Sequence, residues 1–229
     1  MRYILLEKTD HLSDTIYKYQ KGKHVMATPV QLELRSDVDF DAGKRETILG
    51  RWDEQATPFN VARNADITAI AGAKGDFTIT AADGREWHAA HVILAIGTQG
   101  NPNRMRCPGA DMPHIQYQLD DPTEYIDEHI TVVGSGDAGI ENALGLAADV
   151  AQGNVVTILN RGADFARAKG PNVALLMEAE ANGRISVRTE TSPAKVEAGW
   201  LTLQTRDGEE RNRCDRIIAR LGSGAPRAL

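Results

Sequence analysis

The stretch ITVVGSGDAGIENALGLA sets Gly134, Gly136 and Gly139 at the spacing GxGxxG. Between a strand and a helix, three glycines so spaced suit the binding of a pyrophosphate. Gly134 permits the tight turn out of the strand. Gly136 has no side chain to keep a phosphate from the backbone, and Gly139 lets the helix pack closely on the strand. The free N–H groups along Ser135, Gly136, Asp137 and Ala138, at the positive end of the helix dipole, then face the phosphates. The competing reading is a glycine-rich turn that holds nothing. The flanking strand–helix–strand pattern favours the nucleotide.

The end of the following strand bears on the choice of cofactor. A site for NAD usually places Asp or Glu there, to accept from the ribose hydroxyls. This chain has Asn160 and Arg161, followed by GADFARAK with Arg167 and Lys169. A carboxylate would repel a 2′-phosphate, whereas guanidinium groups can pair with it in bidentate fashion. The sequence therefore favours NADP over NAD. Arg161 and Arg167 could instead form a solvated basic face.

Elements that could position these residues are legible along the chain. Tyr3 to Glu7 read as a strand, 11–21 as a helix or structured loop, and 41–56 as a helix. Strands are expected at 66–72 and 77–81, with a hairpin turn on Asp83-Gly84. HVILAIG (91–97) is a continuous apolar run of the kind found in buried strands. A Pro-, Gly- and Asn-rich linker occupies 98–122. A second pattern follows: strand 129–134, helix 137–150, strand 154–160, and helix 171–183 between Pro171 and Gly183. Strands are then expected at 185–189, 194–198, 200–205 and 214–220, with a turn at 207–210. This order predicts an α/β fold with a parallel sheet, in two modules divided near 112–124.

Composition narrows the function. The 229 residues are 41% hydrophobic, enough to bury a core in one large or two small domains. A net charge of −6 argues against a general nucleic-acid binder. No apolar run reaches the roughly 18 residues of a membrane helix. No signal peptide is visible, so Cys107 and Cys214 read as free thiols of a cytoplasmic protein. There is no CxxC motif.

Several stretches together resemble the two-dinucleotide-domain flavoproteins, in particular their thioredoxin-reductase-like branch of pyridine nucleotide-disulfide oxidoreductases. VILAIGTQGNP is similar to the segment that ends that family's first FAD-domain part, with Ile96 in place of its usual Thr. VVGSGDAGIENALGLA resembles its NADP loop, NRGADFARAK its 2′-phosphate segment, and CDRIIARLGSGAPR the last strand of its NADP domain. The resemblance implies a partial FAD-binding domain, α/β plus antiparallel strands, over 1–112. A Rossmann-like NAD(P)-binding domain would be inserted at 122–224, with a return segment starting at 225–229. It implies that Glu7 sits where an adenosine ribose of FAD would be bound, that Gly97 belongs to the FAD half, and that Gly222 lies near the nicotinamide. The family's glycine-rich FAD loop, which would precede Glu7, is absent from the sequence. The lack of CxxC aligns the chain with dithiol-free members, which pass electrons from NADPH through flavin to a ferredoxin or another acceptor. Members are often homodimers. A non-catalytic NADP-binding module that has lost FAD is the alternative.

Other signals carry less. Tyr17 and Lys21 satisfy Tyr-x-x-x-Lys, but they lie far before the glycine loop, where a short-chain dehydrogenase has its pair far after it. His88 and His91 are three apart, which in a strand places them on opposite faces, so no shared metal is expected. Asp120, Asp121 and Glu124 read as a solvated linker or a helix cap. No side chain identifies itself as a general acid or base, so no catalytic residue is assigned.

Overall fold

The computed structural model describes residues 2–25, 41–97 and 102–224. The chain divides into two units, one within residues 1–101 and the other Pro102–Gly224.

The first unit begins with β1 (Leu5–Leu6), α1 (Asp14–Tyr17), β2 (His24–Val25), β3 (Gly43–Lys44), α2 (Arg45–Ala56) and β4 (Val61–Ala62). β1 pairs in parallel with β4, and β2 pairs antiparallel with β3. The sequence before Pro58 supplies the expected helix α2, with Ile48 buried on its inner side. A three-stranded meander follows: β5 (Ile67–Ala73), β6 (Asp76–Ala81) and β7 (Glu86–Ala89). Its second turn is the expected one. Gly84 takes φ +86, and the Asp83 carboxylate accepts from the Arg85 N–H.

One expected strand is not formed. Residues 91–97 make no strand, and Ile93 is 91% exposed, Leu94 59% and Ile96 54%. A continuous apolar run becomes a buried strand only when neighbours take up its N–H and C=O groups and layers cover both faces. Among the described residues no strand pairs with it.

The second unit is built on a parallel sheet. Its strands are β8 (Ile115–Gln116), β9 (His129–Val133), β10 (Val155–Leu159), β11 (Ile185–Arg188) and β15 (Arg216–Ala219), in the order β11-β10-β9-β15-β8. Helices α3 (Asp137–Leu146) and α4 (Gly170–Ala181) make the crossovers. An antiparallel sheet of β12 (Ser192–Glu197), β13 (Trp200–Thr205) and β14 (Gly208–Arg213) completes the unit.

Two apolar clusters explain the layering. Ile130, Val132, Val156, Ile158 and Ile218 pack with Ile140, Ala143, Leu146 and Leu176 of the helices. Val133, Leu159, Ile217 and Ala219 pack with Val196, Leu201 and Leu203 of the antiparallel sheet. The parallel strands therefore alternate between two apolar faces, as a sheet covered on both sides must. Burying each large side chain fully is worth about 1.5–3 kcal/mol.

Three sequence expectations are refined. The helix expected over 137–150 stops at Leu146, and a 3-10 turn follows at Val150–Gln152, where Asp149 accepts from the Ala151 N–H. The segment expected to be a turn at 207–210 opens strand β14 instead. The turn sits at Arg206-Asp207, and Leu203 pairs with Glu210. GEERNR is polar on both faces because β14 is an edge strand, so no apolar alternation marks it. Finally, residues 102–112 group with the second unit rather than the first. Met105 is buried in one cluster with Val196 of β12 and Leu201 and Leu203 of β13, and the Val196 N–H donates to the Pro108 carbonyl. Gly109 lies so close to β12 that a Cβ there would be 2.1 Å from the Val196 carbonyl oxygen. Asp121 caps a short 3-10 turn, Pro122–Glu124, by accepting from the Thr123 N–H.

Candidate nucleotide-binding site

The glycine motif lies where β9 ends and α3 begins. Gly134 has φ +118, a conformation open to glycine at little cost. A Cβ on Gly134 would lie 2.3 Å from the Arg220 carbonyl oxygen, and one on Gly139 would lie 1.9 Å from the Gly134 carbonyl oxygen. Both positions are therefore packed against backbone and closed to any side chain. Gly136 is different: a Cβ there would meet nothing within 4 Å. Fold packing accounts for Gly134 and Gly139. The absence of a side chain at Gly136 leaves the start of α3 open to a ligand. No side chain caps α3 at Gly136.

The neighbouring polar residues brace this turn. Asn160, 4% exposed at the end of β10, accepts from the Ser135 hydroxyl at 2.8 Å and from the Gly162 N–H at 3.0 Å. Its amide nitrogen donates to the Asp164 carbonyl. Asn160 thus ties the glycine turn to the loop that carries the arginines. The Asp137 carboxylate accepts from the Lys169 N–H and from the Asn172 amide, each at 2.8 Å, which joins the starts of α3 and α4. Ala138 is half-buried in the first turn of α3. Arg161 and Arg167 are exposed, and among the described residues neither is paired with a carboxylate.

On the other side of β9 stands β15, at whose carboxyl end are Arg220 and Gly222. Gly222 takes φ +76, and its carbonyl accepts from the Asn103 N–H. The sheet order places β10 and β15 on opposite sides of β9, so the glycine turn lies at the point where the sheet's connections change direction. Open α/β sheets bind ligands in the crevice at that point. Arg220 and Asn172 escaped the sequence reading. The available signal for Arg220 was a cation directly after the apolar run Ile217–Ala219.

A model of the pyridine nucleotide-disulphide oxidoreductase family matches residues 51–226. The chain belongs to that family. A ferredoxin–NADP reductase of Ignicoccus hospitalis is 32% identical over 150 residues, covering 63% of this chain and 48% of that protein. A ferredoxin–NADP reductase of Ralstonia nicotianae is 28% identical over 193 residues, covering 77% of this chain and 52% of that protein. The chain thus spans about half the length of these relatives. The fold is also that of the bacillithiol disulfide reductase from Staphylococcus aureus, with a TM-score of 0.84 at 18% identity over 98% of this chain and 69% of that one.

The remaining predicted residues lie in the first unit. Glu7 follows β1, and its carboxylate accepts from both the N–H and the hydroxyl of Thr9, at 3.0 and 3.1 Å, through a single oxygen. Gly97 has φ +60 and ends the exposed apolar run. No GxGxxG occurs among residues 1–112. Cys107 and Cys214 are free, and burial pushes both thiols up from the ordinary value. Neither is set up as the thiolate that a disulfide relay needs. His88 and His91 are exposed, and no metal-binding cluster exists among the described residues. Among the described residues no helix is long and apolar enough to cross a membrane.

Proposed function

We propose that this chain binds NADP(H) at the β9–α3 turn and serves a cytoplasmic NADPH-dependent flavoprotein oxidoreductase of the dithiol-free kind. The observation that carries this is the packing of Gly134 and Gly139 around an open Gly136 in a βαβ unit, within a family of pyridine-nucleotide enzymes. Ser135, Gly136, Asp137 and Ala138 would offer backbone N–H groups to the diphosphate. Arg161 and Arg167 would take the 2′-phosphate, and Gly222 would lie beside the nicotinamide half. Asn160 would hold the turn in shape. The nicotinamide supplies a hydride, and the chain's own residues bind and orient it. The names of the relatives suggest a ferredoxin-like protein as electron acceptor, with a small molecule as the other option, and a homodimer is the assembly proposed.

A second reading has its own support. In the first unit Glu7 is already engaged by Thr9, and the run ending at Gly97 is exposed and forms no strand. If those residues hold no flavin, the chain acting alone would be an NADP-binding module without FAD. Titration with NADPH, NADH and FAD, with the visible spectrum recorded, separates the two. Flavin bands and NADPH oxidation on adding FAD support the oxidoreductase. A colourless protein that binds NADPH supports the module. A protein that binds neither nucleotide refutes both.

A further inference from the structure

We infer that Arg220 is a cationic contact for the dinucleotide, engaging the diphosphate on its nicotinamide side. This rests on the dinucleotide reading above. The alternation of β15 turns Ala219 toward the antiparallel sheet, so Arg220 turns toward α3. Its Cβ lies 3.8 Å from where a Cβ on Gly139 would be, and its backbone oxygen is the atom packed against Gly134. The side chain then runs along the carboxyl edge of the sheet, and its Nη1 donates to the Tyr117 carbonyl just beyond β8. Arg104 stands over the Tyr117 ring, 4.8 Å from its centroid. Arg220 therefore starts beside the glycine turn and reaches Tyr117, whose ring carries a second guanidinium.

Charge supplies the reason for a cation there. Arg161 and Arg167 lie on the β10 side of β9, and Arg220 lies on the β15 side. A dinucleotide crossing the glycine turn from one side to the other would have cations at both ends. The start of α3 alone is a weakened anion site, because Asp137 in its first turn offsets the positive end of the helix. A guanidinium can offer planar, forked donors to diphosphate oxygens while keeping a bond to Tyr117.

The test uses the whole 229-residue chain, with calorimetric titration by NADP⁺ and by adenosine 2′,5′-bisphosphate, which lacks the nicotinamide half. Arg220→Gln removes the charge and keeps the side-chain stem with an amide donor two bonds short of Nη1; Arg220→Ala removes the stem as well. The Gln variant should lose about 10- to 100-fold in NADP⁺ affinity, the usual range for a hydrogen bond to a charged group. It should keep its affinity for the bisphosphate and its thermal midpoint. Unchanged NADP⁺ affinity overturns the inference. So does an equal loss for both ligands, which would place the role of Arg220 in shaping the turn. A wild-type chain that binds neither ligand overturns the dinucleotide reading and this inference with it.

Discussion

Gly136 and Gly139 differ by three positions and by the kind of constraint each obeys. Replacing Gly139 by Ala forces a methyl group against the Gly134 backbone, so both thermal stability and nucleotide binding should fall. Gly136→Ala meets open space and should melt with the wild type, yet bind NADP⁺ more weakly, because its methyl group would face the phosphates at the proposed site. Thermal melting with and without nucleotide separates the two outcomes. Replacing Arg161 and Arg167 by Ala should weaken NADPH by about tenfold or more while sparing NADH, as expected for the loss of charge-assisted bonds to one phosphate. Equal losses in a fluorescence titration would remove the 2′-phosphate assignment. These residues were legible in the sequence because a glycine turn and its flanking elements are local in the chain. Asn160 was picked out for its place at the end of a strand. Its bonds to Ser135 and Asp164 depend on how the turn and the loop meet, which spacing alone does not specify.

Strands were legible where one face is buried and polar groups alternate with apolar ones, as in β6. They were misread where the environment departs from the pattern. Residues 91–97 look like a buried strand, but they lack partners among the described residues. β14 looks like a turn because Glu209, Glu210, Arg211 and Arg213 can all reach water at an edge. Between β9 and β15 a carboxylate is decisive. Burial works to raise the Asp215 carboxyl, but the His129 N–H and the Arg213 guanidinium outweigh it and hold the group below its ordinary value of 3.8. A lowered folded value means that this stabilisation is whole above pH 3.8 and is lost as pH falls through the folded value. Asp215→Asn should therefore be less stable than wild type at pH 7. The gap should close in acid below pH 3.8, as measured by urea unfolding at each pH.

The two units differ in how much apolar surface they bury, since both large clusters among the described residues lie in the second. Heating should unfold them separately, and NADP⁺ should raise only the later transition. At a hundredfold excess over Kd the gain is about 2.7 kcal/mol. Calorimetry that finds one transition, or a shift of the earlier one, refutes this division of stability. Ile93, Leu94 and Ile96 are exposed together, and an exposed apolar run of this kind is expected to favour self-association. Ile93→Asp should lower light scattering without lowering either transition. The place of β15 has a further consequence, for synthesis. It pairs with β9 on one side and β8 on the other, yet it is made about a hundred residues after β8. A nascent chain that has already formed β9, α3 and β10 still exposes one long edge of β9, and the glycine turn still lacks the Arg220 backbone that packs against it. The proposed nucleotide site would be completed only when β15 has left the ribosome, so ligand would not guide the folding of the earlier strands of this sheet.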